Sequence, residues 1–129
     1  MKVTIEIVSH SEQRYDTAGD WFWAAPESAQ HLVIRVSDTG HWRSNMLVAL
    51  HELVEALLCY KDGIPQEAVD HFDMVVFPAT DWAAKGFEPG DHPKCPYGPQ
   101  HSFATGIERL MAVALYVEWS KHEERLDRL

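Results

Sequence analysis

The stretch that decides the fold is NMLVALHELVEALLCYKDGI, residues 45–64. Its apolar residues recur at helical spacing and the letters KDG close it, so the pattern predicts a helix over 41–63. Three polar residues lie inside this apolar helix: His51, Glu52 and Glu55. At about 100° per residue, His51 and Glu55 are one turn apart and point the same way, whereas Glu52 is rotated further round. An imidazole and a carboxylate held at this spacing can both ligate one divalent ion.

The same pair also fits an ordinary ion pair at the rim of a helix, and the residues alone leave both interpretations open. A metal site needs a further ligand, and the best candidate is His101 in PYGPQHSFATGIERL. Glu108 follows seven residues later, two turns along the same face of a predicted helix. Each of the two helices then carries a histidine and an acid, and two such faces packed together can enclose one ion.

A second group of candidates lies in EAVDHFDMV, where Asp70, His71 and Asp73 occur close together. These residues can supply a ligand or a hydrogen-bond partner that orients His51. They fit equally the acidic outer face of a surface helix. The chain has no glycine-rich phosphate loop, no GxSxG elbow and no CxxC pair, which excludes several classes of enzyme.

Upstream of the metal-site helix, residues 1–40 predict a small sheet. KVTIEIVS and HLVIRVSD alternate apolar and polar residues, as half-buried strands do, and RYDTAGDWFWA places an aromatic run after a turn. We expect these three strands to form a small, largely antiparallel sheet. Because helices follow, the predicted fold class is α+β.

Downstream, the sequence predicts a second helix over 65–78, a long loop over 79–98 and a C-terminal helix over 99–122. The loop is rich in proline and glycine, and loops of this length in compact domains are commonly functional or mobile. With 129 residues, 46% of them hydrophobic and 24% charged, the chain is expected to form one domain, residues 1–129.

The formal net charge of −9 disfavours nucleic acid as a partner, because the chain would repel a phosphate backbone. The N-terminus has no apolar signal-peptide core, and the longest apolar run, LMAVALYV, is too short to span a bilayer. Two separate cysteines fit a reducing compartment. We therefore expect a soluble cytoplasmic protein with no membrane partner.

With His51 and Glu52 on a helix after a small sheet, the chain resembles a minimal zincin, the fold of metallopeptidases with an HExxH helix. ALHELVEALLCYKDGIPQEAVDHFD and PYGPQHSFATGIERLMAVAL are also similar to small proteins of phages and prophages. The resemblance implies that His51 and His101 are ligands and that Glu52 is the general base. Glu55 departs from the zincin pattern, because it stands where zincins have their second histidine.

Two functions of different classes follow from these residues. The first is a zinc-dependent hydrolase acting on peptides or proteins, with zinc held by His51, Glu55 and His101 and with Glu52 as the general base. The alternative is a phage or prophage accessory protein, in which a metal site, if present, is structural. A carboxylate-rich iron or manganese site formed by Glu52, Glu55, His101 and Glu108 is less favoured, because the ExxH spacing of such sites is absent.

Overall fold

The computed structural model describes residues 1–129 as an α+β fold that begins with a three-stranded sheet. The strands are β1, Lys2–Val8; β2, Gly19–Trp23; and β3, His31–Ser37. Their spatial order is β1-β3-β2, with β1 parallel to β3 and β2 antiparallel to it. The sheet is therefore mixed, and the expectation of a largely antiparallel sheet was wrong.

The mixed topology follows from β3 lying in the centre of the sheet. β2 and β3 are connected by a short turn and pair as a hairpin, which leaves the other edge of β3 open. β1 adds to that edge with Ile5 opposite Ile34, so the apolar sides of the two strands lie on one face. Alternation in β1 fixes which side chains share one face of the sheet, but it is the same for a parallel or an antiparallel partner.

Five α-helices follow the sheet, where the sequence predicted three. They are α1, Trp42–Lys61; α2, Gln66–His71; α3, Asp81–Ala84; α4, Gly98–Ala114; and α5, Trp119–Asp127. α1 lies within the range predicted from the apolar spacing, and Gly63 just after it has the positive φ of 70° expected at a C-terminal stop.

The predicted helix 65–78 is α-helical only in its first half. A π-helical turn, Phe72–Val76, and a 3-10 turn, Phe77–Ala79, continue α2. The extra residue per turn rotates the face of the helix, so periodicity at 3.6 residues does not describe this segment. The predicted loop 79–98 also contains regular structure, namely α3 and a 3-10 turn at Pro89–Asp91.

The predicted helix 99–122 is divided into two helices, α4 and α5, because the backbone leaves the right-handed helical conformation at Tyr116. This residue has a φ of 56°, and the Val117 amide bonds back to the Ala112 carbonyl, which is the hydrogen-bond pattern of a helix C-terminus. α5 then turns back toward the N-terminal half of α1, where Arg125 donates a hydrogen bond to Ser44.

α1 is the centre of the molecule. One side of it packs on β2 and β3, and another packs along α4. The hydrophobic core lies between α1, the sheet and the α2 segment, and includes Trp21, Trp23, Leu32, Ile34, Val36, Val48, Ala56, Cys59, Val69, Phe72 and Phe77. None of the helices combines the length and the apolar character needed to cross a membrane.

Candidate metal centre

The α1–α4 contact brings three potential ligands together. His51 and Glu55 project from α1, and His101 projects from the first turn of α4. His51 Nε2 lies 3.2 Å from Glu55 Oε2 and 3.2 Å from His101 Nδ1, and His101 Nδ1 lies 3.0 Å from Glu55 Oε2. All three side chains are buried, with residue exposures of 5–7%. This cluster could hold one metal ion.

The spacing of the three atoms fits a small divalent ion. Zinc binds histidine nitrogen and carboxylate oxygen at about 2.0–2.2 Å, so the ligand atoms of a tetrahedral site lie roughly 3.3 Å apart. The triangle formed by His51, Glu55 and His101 has edges of 3.0–3.2 Å, within a few tenths of an ångström of that value. Little movement of the side chains is needed for all three atoms to contact one ion.

Glu108 orients the first of these ligands. Its Oε1 lies 3.0 Å from His51 Nδ1, and its Oε2 lies 2.6 Å from Nε2 of His122, a fully buried residue of α5. A carboxylate that accepts a hydrogen bond from His51 Nδ1–H directs the opposite nitrogen, Nε2, toward Glu55 and His101. Metal-binding histidines in proteins are typically held this way by a carboxylate.

The second ligand is oriented by the sheet. Trp21 of β2 donates its indole Nε1–H to Glu55 Oε1 at 3.0 Å, and both side chains are buried. This bond occupies one carboxylate oxygen and directs the other, Oε2, at the two imidazoles. Because Glu55 is also hydrogen-bonded on that side, it stays ionised inside the core.

The third ligand is held by the segment before α4. His101 Nε2 faces Glu88 Oε2 at 3.3 Å and Asp91 Oδ1 at 3.6 Å. Gly90 packs directly on the imidazole, because a Cβ at this position would lie 2.2 Å from the His101 ring carbon Cγ. Only glycine therefore allows the 3-10 turn to lie flat against His101. The carboxylates of Glu88 and Asp91 are about half exposed, unlike Glu108.

Both nitrogens of each imidazole thus lie near carboxylates, and this determines the charge of the site. Burial alone lowers the pKa of His51, but hydrogen bonds with Glu108 and Glu55 outweigh burial and raise that pKa to about 11. For His101 burial is likewise outweighed, by Glu55 and Glu88, and the pKa rises to about 10. Burial raises the pKa of Glu55, but hydrogen bonds from the two histidines lower it to about 2.

The metal-free site is therefore a cluster of two imidazolium rings with anionic carboxylates. Two protons carry the same charge as one divalent cation, and removing one proton from each ring frees Nε2 of His51 and Nδ1 of His101 as ligands. A divalent ion can replace the two protons without changing the buried net charge. The donor set, the spacing and the charge of His51, Glu55 and His101 all fit such an ion.

Glu52 lies beside the three ligands and lines the same cleft. It is half-buried and packs against Gly19: a Cβ at position 19 would lie 2.6 Å from Glu52 Oε1 and 2.6 Å from Val48 Cγ1. Burial raises the pKa of Glu52 well above its usual range, and the nearby charge of Glu55 raises it further. The Glu52 carboxyl therefore holds a proton more readily than a carboxyl in water does.

The cleft has a volume of about 650 Å³ and lies between β2, α1 and the segment that follows α2. Its lining combines the polar site with apolar side chains, among them Met74, Phe77 and Phe87. Its size is within the range of small-molecule and side-chain binding pockets. The metal centre therefore has open space beside it despite the burial of its ligands.

The π-helical turn places another carboxylate at this cleft. Asp73 accepts hydrogen bonds from Tyr15 at 2.9 Å and from Tyr97. Burial raises the pKa of Asp73 to about 7, although the two tyrosine hydrogen bonds act to lower it. The Asp73 carboxylate is thus held by the hydroxyl groups of Tyr15 and Tyr97, and it is not a hydrogen-bond partner of His51. Its two neighbours lie elsewhere: Asp70 pairs with Arg14, and His71 is exposed.

Trp21, Glu88, Asp91 and His122 belong to the site but were not among the residues predicted from sequence. Trp21 alternates with Trp23 as any core residue of a strand does, so its indole hydrogen bond leaves no signal. His122 is fourteen residues from Glu108, and the break after α4 removes any helical spacing between them. The PGD sequence of residues 89–91 indicates a turn, but it lies ten or more residues before His101, so it does not predict the contact of Gly90 with the His101 ring.

No protein-family model matches the chain, and no curated protein sequence or solved structure matches it at a significant level. The function must therefore be argued from the geometry and chemistry of the site itself.

Proposed function

We propose that this protein is a zinc-dependent hydrolase of the peptidase type, with a minimal zincin-like fold. The observation that carries the proposal is the convergence of His51, Glu55 and His101 on one point, with Glu52 beside it at an open cleft. Two nitrogens and one carboxylate oxygen form the donor set typical of catalytic zinc sites, which keep one coordination position open.

Zinc at such a site lowers the pKa of water and polarises a substrate carbonyl. The protein's own groups have distinct tasks around it. Glu108 and Trp21 hold His51 and Glu55 in place, and Glu52 accepts the proton of the attacking water and returns it to the leaving group. The apolar part of the cleft accommodates a side chain of a peptide substrate.

The first test is metal content. Protein purified without added metal should contain close to one zinc per chain by elemental analysis, and His51→Ala or His101→Ala should remove most of it. Glu55→Gln should lower the affinity while α1 persists, because glutamine is a comparable helix former. Wild-type protein that holds no metal, and whose melting temperature does not rise with zinc, contradicts the metal site.

The second test separates catalysis from metal binding. Glu52→Gln should retain zinc and the fold while hydrolysis of a peptide and ester library falls by roughly 10²–10⁴-fold, the usual effect of losing a general base. Glu67→Gln, an exposed change of the same chemistry on α2, is the matched control and should keep full activity. A zinc-loaded wild type that cleaves nothing beyond what the Glu52 variant cleaves refutes the hydrolase.

The burial of the three ligands favours a second candidate, an accessory protein in which the ion only joins α1 to α4. His51, Glu55 and His101 are 5–7% exposed, as expected for a structural site. Zinc removal should then lower the melting temperature while Glu52→Gln changes neither zinc content nor any measurable activity. Zinc stabilises the protein in both cases, so the activity of the Glu52→Gln variant is the measurement that distinguishes the two functions.

A further inference from the structure

The outer face of α4 is apolar and uncovered. Phe103, Leu110 and Val113 are 58%, 70% and 74% exposed, and they lie within about 80° of one another around the helix. The opposite face carries the buried residues of the helix, namely His101, Ala104, Glu108 and Ala112. The face of α4 away from the core is thus apolar, whereas a helix at the surface of a monomer usually has a polar outer face.

Gly106 lies in the middle of this outer face and has no role within the chain. A Cβ at Gly106 meets no atom within 4 Å, and the residue has no positive φ. Glycine in a helix interior is less favourable than alanine, and neither packing nor backbone conformation within the chain requires it here. What glycine does provide is a notch in the outer surface of α4.

The outer face also lacks charge, in contrast to the rest of the chain. The chain has a net charge of −9, yet the charged residues of α4 are only Glu108, which is buried, and Arg109. The Arg109 guanidinium lies over the Trp119 ring at the side of the helix. Two copies of this chain repel each other over most of their surface, and the outer face of α4 is where this repulsion is weakest.

We propose that two copies of the chain associate through this face, with their α4 helices antiparallel about a two-fold axis near position 108. A two-fold interface must be complementary to itself. The outer face of α4 satisfies this requirement: Gly106 and Leu110 are equidistant in sequence from position 108, as are Phe103 and Val113. Leu110 of each copy then fits the notch at Gly106 of the other, and Phe103 packs against Val113.

A membrane surface fits this face less well. Helices that bind membrane surfaces combine an apolar face with lysine and arginine on the polar side, and α4 carries one arginine in a chain of net charge −9. Three exposed apolar side chains, those of Phe103, Leu110 and Val113, form a smaller contact than the about 800 Å² that a standard interface buries per partner. The association is therefore a weak one, seen at micromolar and higher protein concentration.

Sedimentation equilibrium over a range of protein concentrations measures this association directly. Wild-type protein should approach twice the 14.7 kDa chain mass, and salt should strengthen the dimer because it screens the like charges of the two copies. Val113→Glu and Leu110→Glu should each weaken the dimer at least tenfold. The matched control is Val75→Glu, which changes a valine 60% exposed elsewhere on the surface and should have no effect.

Gly106→Ala gives a result that a general loss of stability cannot imitate. Alanine should raise the melting temperature of the dilute monomer, because it is the better helix former, while its Cβ fills the notch and weakens the dimer. A wild type that is monomeric at every concentration overturns the proposal. So does a dimer that Val113→Glu leaves intact, one that Val75→Glu weakens equally, or one that Gly106→Ala strengthens. Zinc content enters none of these outcomes, so this inference stands apart from the proposed hydrolase.

Discussion

Replacing Glu108 with glutamine tests whether the interior of the protein holds its metal ligand in place. The Glu108 carboxylate accepts two hydrogen bonds, from His51 Nδ1 at 3.0 Å and from His122 Nε2 at 2.6 Å. A glutamine amide offers one oxygen and one NH₂ group, so it can accept from only one of the two rings. The other ring must change tautomer or lose its bond, while the shape of the side chain is nearly unchanged.

The size of the effect follows from which ring changes. If His51 gives up the Nδ1 proton, its proton moves to Nε2 and the ring no longer offers a lone pair to the metal. If His122 changes instead, its proton moves to Nδ1, a buried atom without a hydrogen-bond partner, at a cost of about 1–3 kcal/mol. The first route should weaken zinc binding by about 10–100-fold, or roughly 1.4–2.7 kcal/mol. The second route leaves the His51 ligand atom free and lowers the stability of the protein with and without zinc alike.

Competition with a fluorescent zinc chelator measures the change in affinity. Thermal unfolding at fixed free zinc gives a second measure: at about 4 °C per kcal/mol, the zinc-induced rise in melting temperature should shrink by about 5–10 °C. Glu67→Gln, which changes an exposed glutamate, should behave as wild type. A folded Glu108→Gln protein that binds zinc within twofold of wild type, and whose metal-free melting temperature is also unchanged, refutes the idea that Glu108 fixes the tautomer of His51.

Four further predictions follow from the same structure. Zinc binding at pH 7 should release close to two protons, because the metal-free pKa values of His51 and His101 are about 11 and about 10. Calorimetry in buffers of different ionisation enthalpy measures the number of protons released. A release of less than one proton contradicts the exchange of two protons for the ion. The pKa values of His51 and His101 are raised from 6.5, so the stability that their protonation gives the metal-free protein should be complete below pH 6.5 and lost as the pH rises through about 10–11. Denaturant unfolding of metal-free protein at several pH values measures this change. Gly19→Ala should displace Glu52 and lower hydrolysis at least tenfold with zinc retained, since the new Cβ would lie 2.6 Å from Glu52 Oε1. A variant that loses zinc while its activity per bound zinc is unchanged contradicts the role of Gly19 in making space for Glu52. Tyr116→Gly should raise the free energy of unfolding by about 1 kcal/mol, because the φ of 56° at Tyr116 is unfavourable for a residue with a Cβ and the side chain is 97% exposed. An unchanged free energy of unfolding shows that contacts of the Tyr116 side chain offset the cost of this φ.

The elements that sequence predicted well are those set by local spacing. α1 was predicted because its apolar residues recur along one face and a glycine ends it, and both signals act within a few turns. The parallel pairing of β1 with β3 was not predictable, since alternation within a strand carries no information about the direction of its neighbour. Likewise, a positive φ at Tyr116 is unexpected for a tyrosine, so the division of the last helix had no local signal.

The same distinction applies to the site. His51 and Glu55 could be paired from sequence because a spacing of four residues in a helix fixes their relative position. His101 could be added because a site with two ligands needs a third of suitable chemistry. Trp21 and His122 could not be predicted, because their contacts with the site depend on how β2 and α5 pack against α1 and α4. Packing of distant elements has no counterpart in local sequence.

The charge balance of the site also bears on whether the fold needs its metal. In small zinc domains the metal supplies much of the folding free energy, and the chain is unfolded without it. Here the imidazolium forms of His51 and His101 satisfy the carboxylates of Glu55 and Glu108 in the metal-free state, so no buried charge is left unpaired. A core lies on the other side of α1 and does not involve the ion. Metal-free protein should therefore remain folded at neutral pH, with far-ultraviolet circular dichroism like that of the zinc form. A chain that unfolds on chelation at neutral pH shows that the two protons do not substitute for the ion.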